Sequence, residues 1–260
     1  MRDLDAIIKA YNVRGVVPSQ LDADLARDVG AAFVTVLGIA ARDGGPGSVV
    51  VGHDMRPSGP DLVAAFADGV TAQGVDVVRI GLASTDGLYY AAGALGLPGA
   101  MFTASHNPAQ YNGIKLCRAG AAPVGQDTGL RDIRRLIETG VPAYDGPAGT
   151  VSDRDMLADY AAFLRSLVPI DASRPLRVVV DAGNGMGGYT VPAVLGTEAG
   201  LPALPLTIEP LYFELDGSFP NHEANPIEPA NLVDLQAAVR ASRADLGLAF
   251  DGDADRCFVV

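Results

Sequence analysis

The chain has 260 residues, with 19 basic against 31 acidic side chains and a formal charge of −12. That surface repels phosphate backbones and anionic lipid, which argues against nucleic-acid and membrane partners, and no run reaches the ~18 apolar residues of a membrane span. Hydrophobic residues make up 48%, without tryptophan, enough for two cores and suited to parallel sheets under small-residue helices.

In chain order, AYNVRG (10–15) offers Tyr11 and Arg14 in a short cationic turn. Residues 19–41 carry apolar positions at helical spacing after Ser19, a cap candidate. GSVVVGHD (47–54) is a buried strand running into GHDMRPSG, where Arg56 and Ser58 sit at a strand-to-helix turn whose backbone N–H groups favour anions, although the stretch alone reads first as an ordinary surface turn. A helix over 58–73, a strand VDVVRIG and a helix from Thr85, its expected cap, follow. Next come strand GAMFTA, strand GIKLCRAG and a helix ending at Gly140. Residues 141–153, rich in Pro and Gly with little periodicity, mark the boundary between a domain of 1–147 and a second of 148–260.

The second domain opens on a helix with a capping-box-like start at Ser152 and Asp155. Strand LRVVVDA, turn GNGMGG, a helix to about Gly200, strand ALPLTI, a polar loop (209–228), a helix over 229–242 and strand DLGLAF complete the alternation. The fold class is α/β: two domains, each a mixed, mostly parallel sheet flanked by helices. The closing strand RCFVV reads as part of an interrupted sheet, so the second domain is expected to be incomplete at its C-terminal end.

Cys117 and Cys257 lie far apart without metal-ligand spacing, which suggests free thiols in a reducing compartment. Charges near the N-terminus stand where a signal peptide needs its apolar stretch, and the expected location is cytoplasmic.

Three stretches carry chemistry. In AFDGDADR (249–256), Asp251, Asp253 and Asp255 alternate after an apolar strand, so their carboxylates can converge on one hard cation such as Mg²⁺. A solvated acidic turn is the alternative, and Arg256 occupies the place where a calcium loop of the EF-hand type needs glycine. An aspartyl-phosphate phosphatase is a competing reading that needs further strands downstream. FTASHNPAQYNGIKL (102–116) pairs Ser105 with His106, restricts Asn107 through Pro108, and returns through Gly113 to present Lys115. It lacks the elbow of a serine hydrolase, whereas a serine carrying phosphate beside a cation and a metal makes chemical sense. GNGMGG (183–188) is an incomplete dinucleotide fingerprint and reads better as a tight, closely packed turn.

TASHNP, then NGIKL, then DGDADR about 150 residues later resembles the α-D-phosphohexomutases, the phosphomannomutase/phosphoglucomutase group in particular. AYNVRG, GHDMRPSG, VVVDAGNGMGG and FPNHEANP look like segments of that family in the same order. The resemblance implies reversible transfer of phosphate between the 1- and 6-positions of a hexose phosphate, mannose or glucose phosphate, with a hexose 1,6-bisphosphate as intermediate and activator. It makes Ser105 the phosphoserine and places Mg²⁺ between that residue and Asp251, Asp253 and Asp255. Lys115 and Arg256 would neutralise the transferring phosphate, Lys115 and Arg14 would serve proton transfer, His106 would flank the phosphoserine and Tyr11 would line the pocket. Family members have four domains and this chain resembles the first two. The missing C-terminal domains are therefore expected in the full-length protein, and a phosphate- and metal-binding piece without turnover is the alternative.

Overall fold

The computed structural model describes residues 3–39, 47–170 and 174–260. A short helix α1 (Leu4–Ile7) precedes β1 (Val13–Val16), α2 (Ala23–Val36), β2 (Ser48–His53), α3 (Gly59–Thr71) and β3 (Asp76–Leu82). Then come α4 (Thr85–Leu95), β4 (Gly99–Phe102), β5 (Tyr111–Cys117), α5 (Leu130–Thr139) and β6 (Val151–Asp153). The second unit runs α6 (Leu157–Leu167), β7 (Leu176–Asp181), α7 (Gly187–Val194), β8 (Leu206–Leu211), α8 (Val233–Ser242), β9 (Leu246–Phe250) and β10 (Cys257–Val259).

The first sheet has the order β1-β5-β4-β2-β3-β6, with β4, β2, β3 and β6 parallel and β5 and β1 antiparallel at one edge. Helices cover both faces, so β2 reads as the near-continuous apolar run SVVVGH rather than as an alternation. One face packs under α2, α3 and α5 through Phe33, Phe66, Phe102 and Leu130, and the other under α4 through Leu88, Met101 and Cys117. The second sheet, β10-β9-β7-β8, is parallel except for β10 and is covered by α7 on one face and α8 on the other. Its edge strand β10 is exposed, with Val259 at 73%.

Several boundaries differ from the sequence reading. Helix α2 is capped by Asp22, whose carboxylate accepts the Leu25 N–H, and not by Ser19; residues 40 and 41 of the expected helix lie outside the described residues. Helix α4 is capped by Ser84, one residue before Thr85. Ser152 caps nothing: it lies in β6, which pairs with β3 and so carries the first sheet past the expected boundary at 147/148. Residues 154–156 connect β6 to α6, and α6 packs on both α7 and α4. AYNVRG, expected as a turn, forms most of β1, because antiparallel pairing with β5 supplies hydrogen bonds that so short a segment cannot find locally.

Candidate active site

Both motif loops leave the ends of their sheets at one junction. Between β4 and β5 the serine loop turns sharply, and Ser105 adopts a left-handed backbone (φ 52°), its N–H donating to Thr103 Oγ1 at 2.8 Å. That conformation costs a non-glycine residue roughly 1–3 kcal/mol and persists where the surroundings impose it. The imposing group is Arg56. Its guanidinium lies beneath the loop, 1% exposed as a residue, and donates to the carbonyls of Pro108 and Tyr111 (both 2.9 Å), Ser105 (2.9 Å) and Asn107 (2.6 Å). Asp54 Oδ2 lies 3.3 Å from Arg56 Nε, and the ring of Phe219 covers the guanidinium with its centroid 5.2 Å away. The sequence placed Arg56 in a turn that alone reads as an ordinary surface turn; here the residue is buried, with Nη1 and Nη2 on backbone carbonyls and Nε facing Asp54.

The aspartate loop follows β9 and rests on the glycine turn. Met186 N–H donates to the Gly252 carbonyl, and a Cβ on Gly185 would stand 2.7 Å from that oxygen. A Cβ on Gly188 would stand 2.1 Å from the Phe213 carbonyl, so backbone fills the approaches a pyrophosphate would use. The turn is a platform for close packing. Gly252 in turn touches the serine loop, since a Cβ there would lie 2.4 Å from the Ser105 carbonyl oxygen.

Side chains close the junction. Ser105 Oγ donates to Asp251 Oδ2 at 2.8 Å and accepts from Arg256 Nη2 at 2.8 Å. Arg256 Nη2 also reaches Asp251 Oδ2 (2.6 Å) and His106 Nδ1 (2.7 Å). Lys115, one strand position beyond Ile114 on β5, bridges Asp253 Oδ2 (2.7 Å) and Asp255 Oδ2 (2.8 Å). Arg14, paired with Gly113 across β1 and β5, donates to Asn107 Oδ1 at 2.5 Å. Thr85 Oγ1 donates to Asp253 Oδ2 at 2.6 Å.

The electrostatics follow from three clustered carboxylates, Asp251 and Asp253 buried and Asp255 exposed. Burial and the charges of Asp253 and Asp255 push Asp251 up to about 7 against the pull of Arg256. Burial acts the same way on Asp253, but Lys115 and the hydrogen bonds from Lys115 and Thr85 outweigh it and hold this carboxyl at about 2. Burial lowers the Lys115 pKa, whereas Asp253 and Asp255 raise it, and the net direction is upward. His106 is lowered by burial and by the Arg256 and Arg14 charges.

One oxygen from each of Asp251, Asp253 and Asp255 lies within 4.8 Å of the others. Asp253 Oδ1 is buried without a hydrogen-bond partner among the described residues. An orphaned buried carboxylate oxygen beside two more hard oxygens fits a divalent cation of the Mg²⁺ class. Of the residues singled out from sequence, Ser105, His106, Lys115, Asp251, Asp253, Asp255 and Arg256 form one bonded cluster, and Arg14 joins it through Asn107. Tyr11 does not: it is 77% exposed, with its ring beside Gly125. Thr85 and Phe219 were not anticipated, and Arg56 was anticipated in a different role.

The chain matches the family described as phosphoglucomutase/phosphomannomutase, alpha/beta/alpha domain I, over residues 5–142, and domain II over residues 158–260. It belongs to the phosphoglucomutase/phosphomannomutase family, the α-D-phosphohexomutases. It is 40% identical over 255 residues to a phosphomannomutase of Escherichia coli, covering 96% of this chain and 54% of that protein. It is 41% identical over 256 residues to a phosphomannomutase/phosphoglucomutase of Pseudomonas aeruginosa, covering 98% and 52%. A phosphoglucomutase/phosphomannomutase family protein of Burkholderia thailandensis superposes with a TM-score of 0.86 at 37% identity, over 100% of this chain and 55% of that one. The fold extends to an N-acetylphosphoglucosamine mutase of Aspergillus fumigatus solved with GlcNAc-6P and magnesium, at 14% identity and a TM-score of 0.52, over 97% of this chain and 50% of that one. The chain thus spans about half the length of the relatives it matches. Among the described residues no helix is long and apolar enough to cross a membrane.

Proposed function

We propose that this chain carries the phosphoryl-transfer centre of a phosphohexomutase, with Ser105 as the residue that takes up and returns phosphate. The observation that carries the reading is the pair of contacts at Ser105 Oγ, a carboxylate acceptor (Asp251) and a guanidinium donor (Arg256), both at 2.8 Å and both supplied from about 150 residues away. Phosphoryl transfer asks little covalent chemistry of a protein beyond positioning and charge neutralisation, which is what this junction supplies.

The substrate is a hexose phosphate, with mannose and glucose phosphates favoured by the relatives' names, and the loading donor is a hexose 1,6-bisphosphate. In loading, Ser105 Oγ attacks the phosphorus and passes its proton to Asp251 Oδ2, the base already in contact. The new Oγ–P bond replaces the P–O bond to the sugar, whose oxygen takes a proton from the Lys115 ammonium. Arg256 stays against Oγ and meets the charge on the transferring oxygens. Asp251, Asp253 and Asp255 would hold Mg²⁺, which when bound supplies charge neutralisation for phosphate oxygens. Arg14 orients the loop through Asn107, a contact that supports a part for it in proton transfer on the sugar. The free thiols Cys117 and Cys257 support a cytoplasmic setting.

Intact mass of the 260-residue chain after incubation with Mg²⁺ and a hexose 1,6-bisphosphate tests this. The parent is expected to gain one phosphate and Ser105→Ala none. A folded parent that gains none rejects the loading competence of these residues, and a gain that survives in Ser105→Ala moves the acceptor elsewhere.

A further inference from the structure

We propose that Thr85 is a positioning residue that sets the orientation of the Asp253 carboxylate for the cation and shares its hydroxyl with Lys115, an inference that rests on the reading of the aspartates as a metal site. Thr85 is 1% exposed and stands at the first position of α4, which covers one face of the first sheet, while Asp253 belongs to the second unit. Two bonds join them: Thr85 N–H to the Asp253 carbonyl at 3.0 Å, and Thr85 Oγ1 to Asp253 Oδ2 at 2.6 Å. Lys115 Nζ donates to the same hydroxyl at 3.3 Å.

The helix does not need that hydroxyl. Ser84 already caps α4, its Oγ accepting the Gly87 N–H at 3.1 Å. A buried hydroxyl with no duty in its own helix, donating to a carboxylate 168 residues away, has its purpose at the carboxylate. Its proton is committed to Asp253 and one lone pair to Lys115, so it bonds both members of a pair that also meet directly at 2.7 Å. With Oδ2 receiving Thr85 and Lys115, rotation of the Asp253 carboxyl is fixed. Oδ1 is then the buried, unpartnered oxygen left for a cation. Groups that orient a ligand in this way typically change metal affinity by about 10–100-fold when removed.

The test is a Mn²⁺ titration of the 260-residue chain followed by the paramagnetic resonance of free Mn²⁺, with the melting temperature of each variant recorded. Thr85→Val, which keeps the shape and removes the hydroxyl, is expected to weaken Mn²⁺ by about tenfold or more, and Thr85→Ser to return it to within about threefold of the parent. Thr85→Ala is titrated in parallel, so that a folded hydroxyl-free variant is available if the valine is not accommodated. Parental affinity in the folded hydroxyl-free variants overturns the inference while leaving the metal site intact, as does a serine variant as weak as valine. Parental binding that is absent, or unchanged in Asp253→Asn, overturns the metal reading and this inference with it.

Discussion

The two loops that meet at the junction are held in opposite ways. The serine loop is shaped by its own unit: Arg56 takes four of its carbonyls from below, and Thr103 supports the backbone of Ser105. The aspartate loop has its backbone on the second unit's glycine turn, but its side chains find partners across the junction, in Ser105, Lys115 and Thr85. One loop is preformed, and the other is completed by docking. The difference shows that a site shared by two units can store its backbone precision on one side and its charge balance between them.

The sharpest way to break this comparison is Arg56→Met, which fills the space but leaves Asp54 uncompensated and four carbonyls without their donor. Removing one partner of a buried pair costs about 3–5 kcal/mol, so a large fall in the urea midpoint is expected together with loss of phosphate uptake at Ser105. Unchanged stability would mean that the loop does not depend on the cradle. Gly252→Ala addresses the docked side. Its methyl would lie 2.4 Å from the Ser105 carbonyl, forcing the two loops apart at a cost of about 1–3 kcal/mol. Phosphate uptake should fall more steeply than stability, and equal loading in this variant would show that docking of the two backbones is dispensable.

The smallest expected effect concerns the loop that carries Phe219 to Arg56. His222 on that loop has both ring nitrogens against acceptors, Nδ1 on the Glu223 carbonyl (2.9 Å) and Nε2 on buried Asp181 (3.0 Å), which favours the imidazolium. The hydrogen bond to Asp181 raises its pKa, against the opposing effect of burial. A raised folded pKa gives stability that is full below the unfolded value, about 6.5, and is lost as pH climbs through the folded one. Urea midpoints measured from pH 6 to 9 should therefore decline in the parent, and the decline should flatten in His222→Gln.

Much of this was legible in the sequence where the signal is local. The αβ alternation, the strand-flanked serine and the spacing of Asp251, Asp253 and Asp255 are each written within a few residues, and Lys115 follows Ser105 closely enough for strand alternation to aim it. What stayed hidden has partners far away in the chain. Arg56 looks like a residue of an ordinary surface turn until its carbonyls appear about 50 residues on, and the bond from Thr85 spans 168. Strand β1 has four residues and no alternation long enough to separate it from a turn, because its partner is β5. Tyr11 shows the opposite limit: it shares a motif with Arg14, yet its side chain is exposed and makes no bond to the cluster among the described residues.

The Arg56 cradle also bears on how the chain is made. Ser105 emerges from the ribosome 146 residues before Asp251, the carboxylate that later accepts its hydrogen bond. At roughly 5–20 residues per second, the serine loop waits about 7–30 s for that counterpart. Through that interval the residues that shape it, Asp54, Arg56, Thr103 and the loop carbonyls, are already synthesised within a span of under about 60 positions. The newborn loop can hold its left-handed serine ready as a template on which the acidic turn later closes.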